Sequence, residues 1–410
     1  MKKSIRLNIK QIISGSLLML SALYFCSCTG KNSIVPEWKN TNIKLTVWES
    51  TEGPDEFIRQ AGKEYTKLHP NVEILYVNVK SSDGMNSSID LGPQGLGPDL
   101  FAAPNDQIPN CVNANIILPT ENPDEIKKSV LGACSKALTY NGTMYGYPVS
   151  AETYAVFYNK DLIRENEVPK TWNDLIEWVK VFNAENPGKQ GFVMPVTSAY
   201  YTIVFATKNG NRLFGSNGEN GNTPNMNTAA AKDGMKVLQE LGAAMDHLDT
   251  SYLGDSSCTG MFQSGNAAMC VTGLWSVNGF VNAGINFGVV PMPSLPGEST
   301  PAVTFSGTRG MFVCSYSKHP KEAADFAKFL LTPEMQKLRF NLTQAMPAID
   351  IKVESPYMDG FIKQLEYAVP MPLVSQMGKF WEALGNASGE IWMGGDISTA
   401  MDRCNAEILR

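Results

Sequence analysis

Residues 43–79 read IKLTVWESTEGPDEFIRQAGKEYTKLHPNVEILYVNV and suggest how the chain folds. Both ends of this stretch are rich in β-branched and aromatic residues, as is typical of strands. Between them, apolar residues recur at helical spacing, namely Phe57, Ala61, Tyr65 and Leu68. Pro54 suits the first position of such a helix. Strand, helix and strand in succession indicate a βαβ unit, and a third strand-like run follows at residues 98–103.

The same alternation returns later in the chain. Further strands are predicted at 154–159 (YAVFYN), 267–273 (AAMCVTG) and 285–293 (INFGVVPMP). Helices are predicted at 172–183, capped by Thr171 with Asp174 at the capping-box position, at 227–247, at 321–332, and from Pro333 onward. The pattern predicts an α/β protein with largely parallel sheets. Since 410 residues exceed what one core normally serves, we expect two lobes joined by more than one crossing.

The first 41 residues differ from the rest. A basic start precedes the apolar run 12–25, which is too short to span a bilayer and is typical of a secretory signal. The run ends in Phe25-Cys26-Ser27-Cys28, which resembles a bacterial lipobox. We therefore expect residues 1–27 to be a lipoprotein signal peptide, Cys28 to be lipidated, and residues 28–41 to be a polar tether. Cys26 as the lipidated residue, or an ordinary signal peptide, are the alternatives.

Composition excludes some classes of function. Loss of residues 1–27 removes four positive charges and takes the formal net charge from −6 to −10. No basic patch suited to nucleic acid is visible.

The remaining cysteines lie at positions 111, 134, 258, 270, 314 and 404. Their even number permits disulfides in an exported protein, although buried free thiols are an equally acceptable interpretation.

Several phrases in order carry a resemblance to a known family. They are GTMYGYPVSAETYAVFYNKDLI (142–163), PKTWNDLIEW (169–178), MFQSGNAAMCVTGLWSVNGF (261–280), GVVPMPSLPG (288–297), SGTRGMFVCSYSKHPKEAADFAKFLLTPEMQ (306–336) and MPLVSQMGKFWEALGNA (371–387). The set resembles the extracellular solute-binding proteins of ATP-driven importers, in the sugar-binding group that includes the maltose-binding proteins.

That resemblance implies a type II periplasmic-binding-protein fold, also called a Venus flytrap. Two α/β lobes would close around a sugar, and the chain would cross between them three times. Lobe one would comprise residues 42–150 plus 304–348, and lobe two residues 151–303 plus 349–410. Pro148 would lie near the first pivot.

The resemblance also implies the ligand-binding residues. A sugar site needs flat aromatic platforms and carboxylates that accept hydrogen bonds from hydroxyl groups. The implied acceptors are Glu152, Asp106 and Glu52, and the implied platforms are Trp275, Trp381 and Tyr200. Each has an alternative: Glu152 could pair with a neighbouring charge at the hinge, Asp106 could cap the next helix, and the tryptophans could be core residues.

Some positions depart from the maltose-type pattern or leave a choice open. Ala103 replaces a lobe-one tryptophan, and Gln107 replaces an arginine. These departures indicate a different sugar length or type, so maltose itself is not assumed. Tyr201 competes with Tyr200 as the platform, and Arg309 either contacts ligand or braces the hinge. Trp48 is expected in the core.

The sequence therefore predicts a lipid-anchored, monomeric carrier of a di- or oligosaccharide that delivers its ligand to an ABC permease. It would lie on the extracytoplasmic face of the cell membrane, or in the periplasm of a diderm host. No catalytic residue, metal or cofactor is predicted. A tethered sugar sensor or adhesion protein and, less favoured, a secreted glycoside hydrolase are the alternatives. His69, His247 and His319 are isolated, and no catalytic motif accompanies them.

Overall fold

The structure is a computed structural model that describes residues 42–80 and 83–410. The described residues belong to one compact unit. The predicted signal peptide, the lipidated cysteine and the tether lie outside the described residues. No helix within the described ranges is both long and apolar enough to cross a bilayer.

Strands and helices alternate along the described chain. The strands are β1 (Ile43–Glu49), β2 (Val72–Asn78), β3 (Leu100–Pro104), β4 (Thr139–Tyr140), β5 (Thr143–Met144), β6 (Tyr147–Glu152), β7 (Tyr154–Asn159), β8 (Gln190–Val193), β9 (Ala267–Gly273), β10 (Phe287–Val290), β11 (Thr304–Val313) and β12 (Ala368–Pro370). The helices are α1 (Pro54–Leu68), α2 (Gly84–Leu91), α3 (Ile108–Asn113), α4 (Pro123–Ser129), α5 (Gly132–Ala137), α6 (Trp172–Glu185), α7 (Ala199–Ala206), α8 (Ala229–Ala244), α9 (Asp255–Gln263), α10 (Val277–Asn282), α11 (Pro320–Phe329), α12 (Pro333–Thr343), α13 (Met358–Leu365), α14 (Met377–Trp392) and α15 (Ile397–Ile408).

Local sequence explains why the first helix forms where it does. Pro54 begins α1, Asp55 and Glu56 lie in its first turn, and Lys67 lies in its last turn. Those charges complement the helix dipole. Three of the four predicted apolar positions are buried, but Leu68 is 65% exposed because it lies at the end of the helix.

Two sheets organise the molecule. The larger has the order β12–β11–β3–β1–β2, with β6 paired to β11. The smaller has the order β10–β7–β9–β8. Each sheet packs mainly into its own hydrophobic cluster, although Phe305 of β11 belongs to the cluster of the smaller sheet. We call the larger sheet with its cluster lobe one and the smaller sheet with its cluster lobe two.

The sheets are mixed rather than largely parallel, so that part of the prediction is wrong. In lobe one, β1 runs parallel to β2 and β3, as the βαβ pattern requires. β11, however, runs antiparallel to both β3 and β6. In lobe two, β7 is antiparallel to β9 and β10. The physical reason is connectivity: β11 enters lobe one from lobe two, and so it need not follow the direction that a crossover helix imposes.

The chain passes between the lobes three times. It leaves the larger sheet after β6, with Thr153 as the only residue between β6 and β7, and it returns from β10 to β11. The third passage follows α12, and β12 then pairs with residues 304–306, the first residues of β11. The Thr153 hydroxyl donates to the carbonyl of Phe305 at 2.8 Å, which ties the two linking strands together. The lobe boundaries proposed from the sequence remain predictions.

The six cysteines at positions 111, 134, 258, 270, 314 and 404 are free and buried. Disulfide pairing among them was the wrong alternative. Burial raises the pKa of Cys134 to about 11, so this thiol stays protonated and unreactive at neutral pH. These cysteines therefore act as small apolar residues of the cores.

Candidate ligand-binding cleft

The three aromatic side chains predicted to bind the ligand come together where the lobes meet. Tyr200 lies in the first turn of α7, Trp275 in a short 3₁₀ helix after β9, and Trp381 in the first turns of α14. The ring centroid of Tyr200 lies 6.1 Å from that of Trp275 and 6.3 Å from that of Trp381. We call these three residues the aromatic group.

Buried aromatic residues support this group from below. Phe305 lies 6.0 Å from Trp381 and 6.2 Å from Tyr200, measured between ring centroids. Tyr154 lies 4.8 Å from Tyr200. Phe305 and Tyr154 are both buried and both belong to the strands that link the lobes. Sequence reasoning missed them as supports of the site, because an aromatic residue in a strand is most often simply core.

The structure decides between the two neighbouring tyrosines. Tyr201 is buried and donates its hydroxyl to Oδ1 of Asp255 at 3.1 Å, so it faces the interior of lobe two. Tyr200 is half-buried and faces the two tryptophans. Burial raises the pKa of Tyr200 well above its ordinary value, so its hydroxyl remains available as a hydrogen-bond donor.

Trp275 is the most solvent-exposed member of the aromatic group, with 37% of its surface exposed. Its position depends on Gly273, the last residue of β9. A Cβ atom at Gly273 would lie 2.2 Å from the indole ring of Trp275. The absence of a side chain at residue 273 therefore lets the ring lie against the backbone.

Asp106 lies beside the aromatic group, in a short 3₁₀ helix that follows β3. Nε1 of Trp381 donates to Oδ2 of Asp106 at 3.0 Å, which joins lobe two to lobe one. Burial raises the pKa of Asp106 to about 6, and the bond from Trp381 only partly offsets this. The N-cap residue of α3 is Gln107, so Asp106 does not occupy the capping position of that helix.

Glu152 is the last residue of β6 and lies at the hinge, opposite Gly307 of β11. The hydroxyl of Ser150 donates to its Oε1 at 3.3 Å. Burial raises the pKa of Glu152, while the positive charges of Arg309 and Arg339 oppose that rise. A half-buried carboxylate in this position can accept hydrogen bonds from a neutral ligand.

Arg309 braces the base of the cleft. Its guanidinium donates through Nε to Oε2 of Glu49 at 3.1 Å, through Nη2 to Oε1 of Glu49, and through Nη2 to Oγ of Ser50 at 2.9 Å. Burial alone would raise the pKa of Glu49, but Arg309 and Arg339 together hold it below its ordinary value. Bracing, not ligand contact, is thus the role of Arg309 that the structure supports.

Arg339 completes a buried charged cluster that the sequence did not reveal. Its Nη1 lies 3.7 Å from Oε2 of Glu49, and its guanidinium carbon lies 5.2 Å from the ring centroid of Phe57. Burial lowers the pKa of Arg339 to about 10. The only sequence signal was Glu49 itself, a charged residue at the carboxyl end of an otherwise apolar strand, where ligands commonly bind in α/β sheets.

Glu52 lies apart from the aromatic group. It follows β1 with a left-handed backbone (φ 66°) and lines a cavity of about 430 Å³ between the lobes. The cavity is lined by Glu52, Gly53, Gln263, Asn278, Gly279, Asn282 and Leu342. A ligand role for Glu52 remains a prediction.

The departures from the maltose-type pattern have a structural counterpart. Ala103 is fully buried in β3 and pairs with Gly310 of β11, so no lobe-one platform stands at this position. Trp48 is buried in β1, which confirms its predicted place in the core. All three platforms of the aromatic group thus come from lobe two, while lobe one contributes the Asp106 carboxylate.

The cleft suits a ligand with apolar ring faces and hydroxyl edges, because indole and phenol rings stack on the faces and carboxylates accept from hydroxyl groups. Within the described ranges, no three acidic, histidine or cysteine side chains are grouped so that they could hold a metal ion.

Two lobes hinged on crossing strands, with a polar and aromatic cleft between them, define a ligand-binding protein. The profile of the family described as bacterial extracellular solute-binding protein matches residues 48–337. The chain therefore belongs to this family, and the two-lobed α/β fold predicted from the sequence is confirmed.

Individual relatives are similar along almost the whole chain. The galactooligosaccharide-binding protein of Bacillus subtilis (strain 168) is 26% identical, covering 95% of this chain and 94% of its own. A maltooligosaccharide ABC transporter solute-binding lipoprotein of Streptococcus pneumoniae serotype 4 is 27% identical, covering 90% and 88%. The crystal structure of a cyclo/maltodextrin-binding protein complexed with maltotetraose superposes with a TM-score of 0.72 at 28% identity, covering 89% of this chain and 96% of that one.

Proposed function

We propose that this protein is the lipid-anchored substrate-binding component of an ABC importer and that it captures a di- or oligosaccharide between its lobes. The aromatic group carries this proposal. Tyr200, Trp275 and Trp381 present three rings within about one sugar length of each other, and the Asp106 carboxylate already accepts a hydrogen bond among them. An amino-acid or metal carrier would not need such a surface.

The ligand is a neutral oligosaccharide rather than an anion. Arg309 and Arg339 both pair with Glu49 rather than pointing at the aromatic group. The acceptors that we propose for the ligand are carboxylates, which would repel an anion. Relatives named for galactooligosaccharide and maltooligosaccharide binding support the same class. Because Ala103 replaces a platform, we propose a saccharide whose length or linkage differs from maltose.

The ligand-binding set that we propose comprises Glu152, Trp275, Trp381, Tyr200, Asp106 and Glu52. The sugar bridges lobe one (42–150 plus 304–348) and lobe two (151–303 plus 349–410) and thereby favours closure. The closed form then docks as a monomer on the permease. Binding without catalysis is our proposal, and recovery of intact saccharide is its test.

Anchoring at Cys28 keeps the carrier beside its permease on the extracytoplasmic face of the membrane. Replacing Cys28 with Ser should release the protein from membranes without a change in saccharide affinity. If the variant stays with the membrane fraction, Cys26 or an uncleaved leader is the anchor.

Isothermal titration calorimetry tests the binding proposal. Maltotriose, galactotriose and their shorter and longer homologues form the test series, while amino acids and polyamines form the controls. Binding of one saccharide series, with loss on Trp275→Ala, supports the proposal. Binding of an amino acid or polyamine, with no response to any saccharide, would overturn it.

A further inference from the structure

Asn278 makes a direct contact between the lobes. It lies on α10, which Val277 and Phe280 anchor in the core of lobe two. Its side-chain Nδ2 donates a hydrogen bond to the backbone carbonyl of Leu342, in α12 of lobe one. Asn278 itself is half-buried and lines the same cavity as Glu52.

The acceptor is a group that needs an external partner. Leu342 lies in the last turn of α12, which ends at Thr343, and the carbonyls of a last turn have no acceptor role within their own helix. Gln344 then turns away with a left-handed backbone (φ 56°). The Asn278 amide thus caps the carboxyl end of a helix that belongs to the other lobe.

The third member of this contact is Gly53, at the start of α1. A Cβ atom there would lie 2.4 Å from the carbonyl oxygen of Leu342 and 3.3 Å from Nδ2 of Asn278. The backbone at Gly53 also has φ +121°, which side-chain-bearing residues rarely adopt. Only glycine lets α1, α10 and α12 approach this closely.

This contact differs in kind from the bond between Trp381 and Asp106. Those two residues both belong to the proposed ligand-binding set, so a bound sugar has to compete for them. Asn278 and Leu342 are not members of that set, although both line the cavity that Glu52 also lines. Their bond can persist when a sugar stacks on the aromatic group, and it can form only while the lobes are together.

We infer that Asn278 is a positioning residue for ligand capture: it stabilises the closed arrangement of the lobes through its bond to the Leu342 carbonyl, outside the aromatic group that stacks on the ligand. This inference rests on the proposed function, since it assigns the residue to the closure of the same cleft. A hydrogen bond that exists only in the closed state adds directly to the closed population, and apparent affinity rises with that population.

Asn278→Ala and Asn278→Asp separate this role from simple packing. The alanine variant removes the donor. The aspartate variant keeps the shape but points a carboxylate at a carbonyl, which repels it. Asn286→Ala is the matched control, because Asn286 donates to Oδ1 of Asp161 at 3.0 Å within lobe two alone. Gly53→Ala disturbs the same contact from lobe one, because the added Cβ would crowd the Leu342 carbonyl. It replaces an Asn278 variant that fails to fold.

Two readouts are needed: the radius of gyration from small-angle scattering without ligand, and calorimetric affinity for maltotriose and galactotriose. We expect Asn278→Ala to enlarge the ligand-free radius and to weaken binding about three- to tenfold. Asn278→Asp should lose more, and Asn286→Ala should match the unaltered protein. Unchanged radius and affinity in both Asn278 variants would overturn the inference. If no saccharide binds even the unaltered protein, the proposed function fails, while the ligand-free radius still decides the role of Asn278.

Discussion

Trp381 of lobe two donates a hydrogen bond from Nε1 to Oδ2 of Asp106 in lobe one, at 3.0 Å. Each is also a residue that we expect to contact the ligand. If a sugar binds there as proposed, we expect it to replace this bond with bonds of its own. Such an exchange would favour ligands that offer both a ring face and a hydroxyl donor.

Loss of either indole of the aromatic group should weaken saccharide binding. Trp275→Ala and Trp381→Ala should each reduce affinity by about an order of magnitude or more, because a stacked aromatic pair contributes about 1 kcal/mol beyond the area it buries. Calorimetry measures the loss. Trp178→Ala is the control, since Trp178 stacks on Phe182 within α6, with 4.8 Å between ring centroids. Saccharide affinity unchanged in both cleft variants would show that the aromatic group is not the binding surface.

Gly273→Ala should weaken binding without removing any side chain of the cleft. The added methyl group occupies the space of the Trp275 ring and displaces it. We expect a several-fold loss of affinity and a changed tryptophan fluorescence spectrum. Gly260→Ala in α9 is the matched control, because a Cβ there meets open space. Equal saccharide affinities for the two variants would mean that binding does not depend on a fixed position of the Trp275 ring.

Stability should depend on the protonation of Asp106. Its pKa is raised from 3.8 to about 6, so the folded state binds this proton more tightly than the unfolded state does. The buried charge therefore costs stability above pH 6, and the cost fades as pH falls from 6 to 4. At neutral pH it amounts to about 2–3 kcal/mol.

Asp106→Asn isolates this effect, because an amide oxygen can still accept from Trp381 without the charge. Urea unfolding of both proteins should show the variant more stable at pH 7 and nearly equal to the unaltered protein at pH 4. A stability difference that stays constant between these pH values would contradict the raised pKa.

Breaking the ion pair under the cleft should be costly. Arg309→Met leaves Glu49 buried without its main partner, and the loss of one partner in a buried pair destabilises by about 3–5 kcal/mol. The denaturant midpoint reports this loss. Lys67→Met removes an exposed pair with Glu64, 2.6 Å from Nζ to Oε1, and should cost less than about 1 kcal/mol. Similar losses for both variants would argue against a structural role for the buried pair.

Much of the fold could be predicted from local sequence, because most elements depend on local signals. Pro54 and Pro333 begin α1 and α12 as expected, and β7 and β9 have the predicted bounds. The side chain of Thr171 accepts from the backbone of Asp174 at the start of α6, as the capping pattern predicts. Sheet direction and the pairing of β6 with β11 could not be predicted, since both depend on how distant segments return across the hinge.

The cleft was only partly predictable for a related reason. Trp275, Trp381, Tyr200 and Asp106 come together as a family resemblance implies. Arg339 offers no such signal, because its role arises from burial beside a glutamate nearly 300 residues away in the chain. Asn278 lies in one of the recognised phrases, yet its partner is a backbone carbonyl, which no side-chain pattern reveals.

Thermal shift followed by mass spectrometry of the recovered ligand shows whether the cleft captures a saccharide. A saccharide at about 100 times its dissociation constant should stabilise the protein by roughly 2.7 kcal/mol, enough to raise the melting temperature by several degrees. We expect one saccharide series to produce this shift, the double variant Trp275→Ala/Trp381→Ala to abolish it, and the sugar to be recovered intact. No shift with any saccharide, or a cleaved sugar, would contradict that expectation.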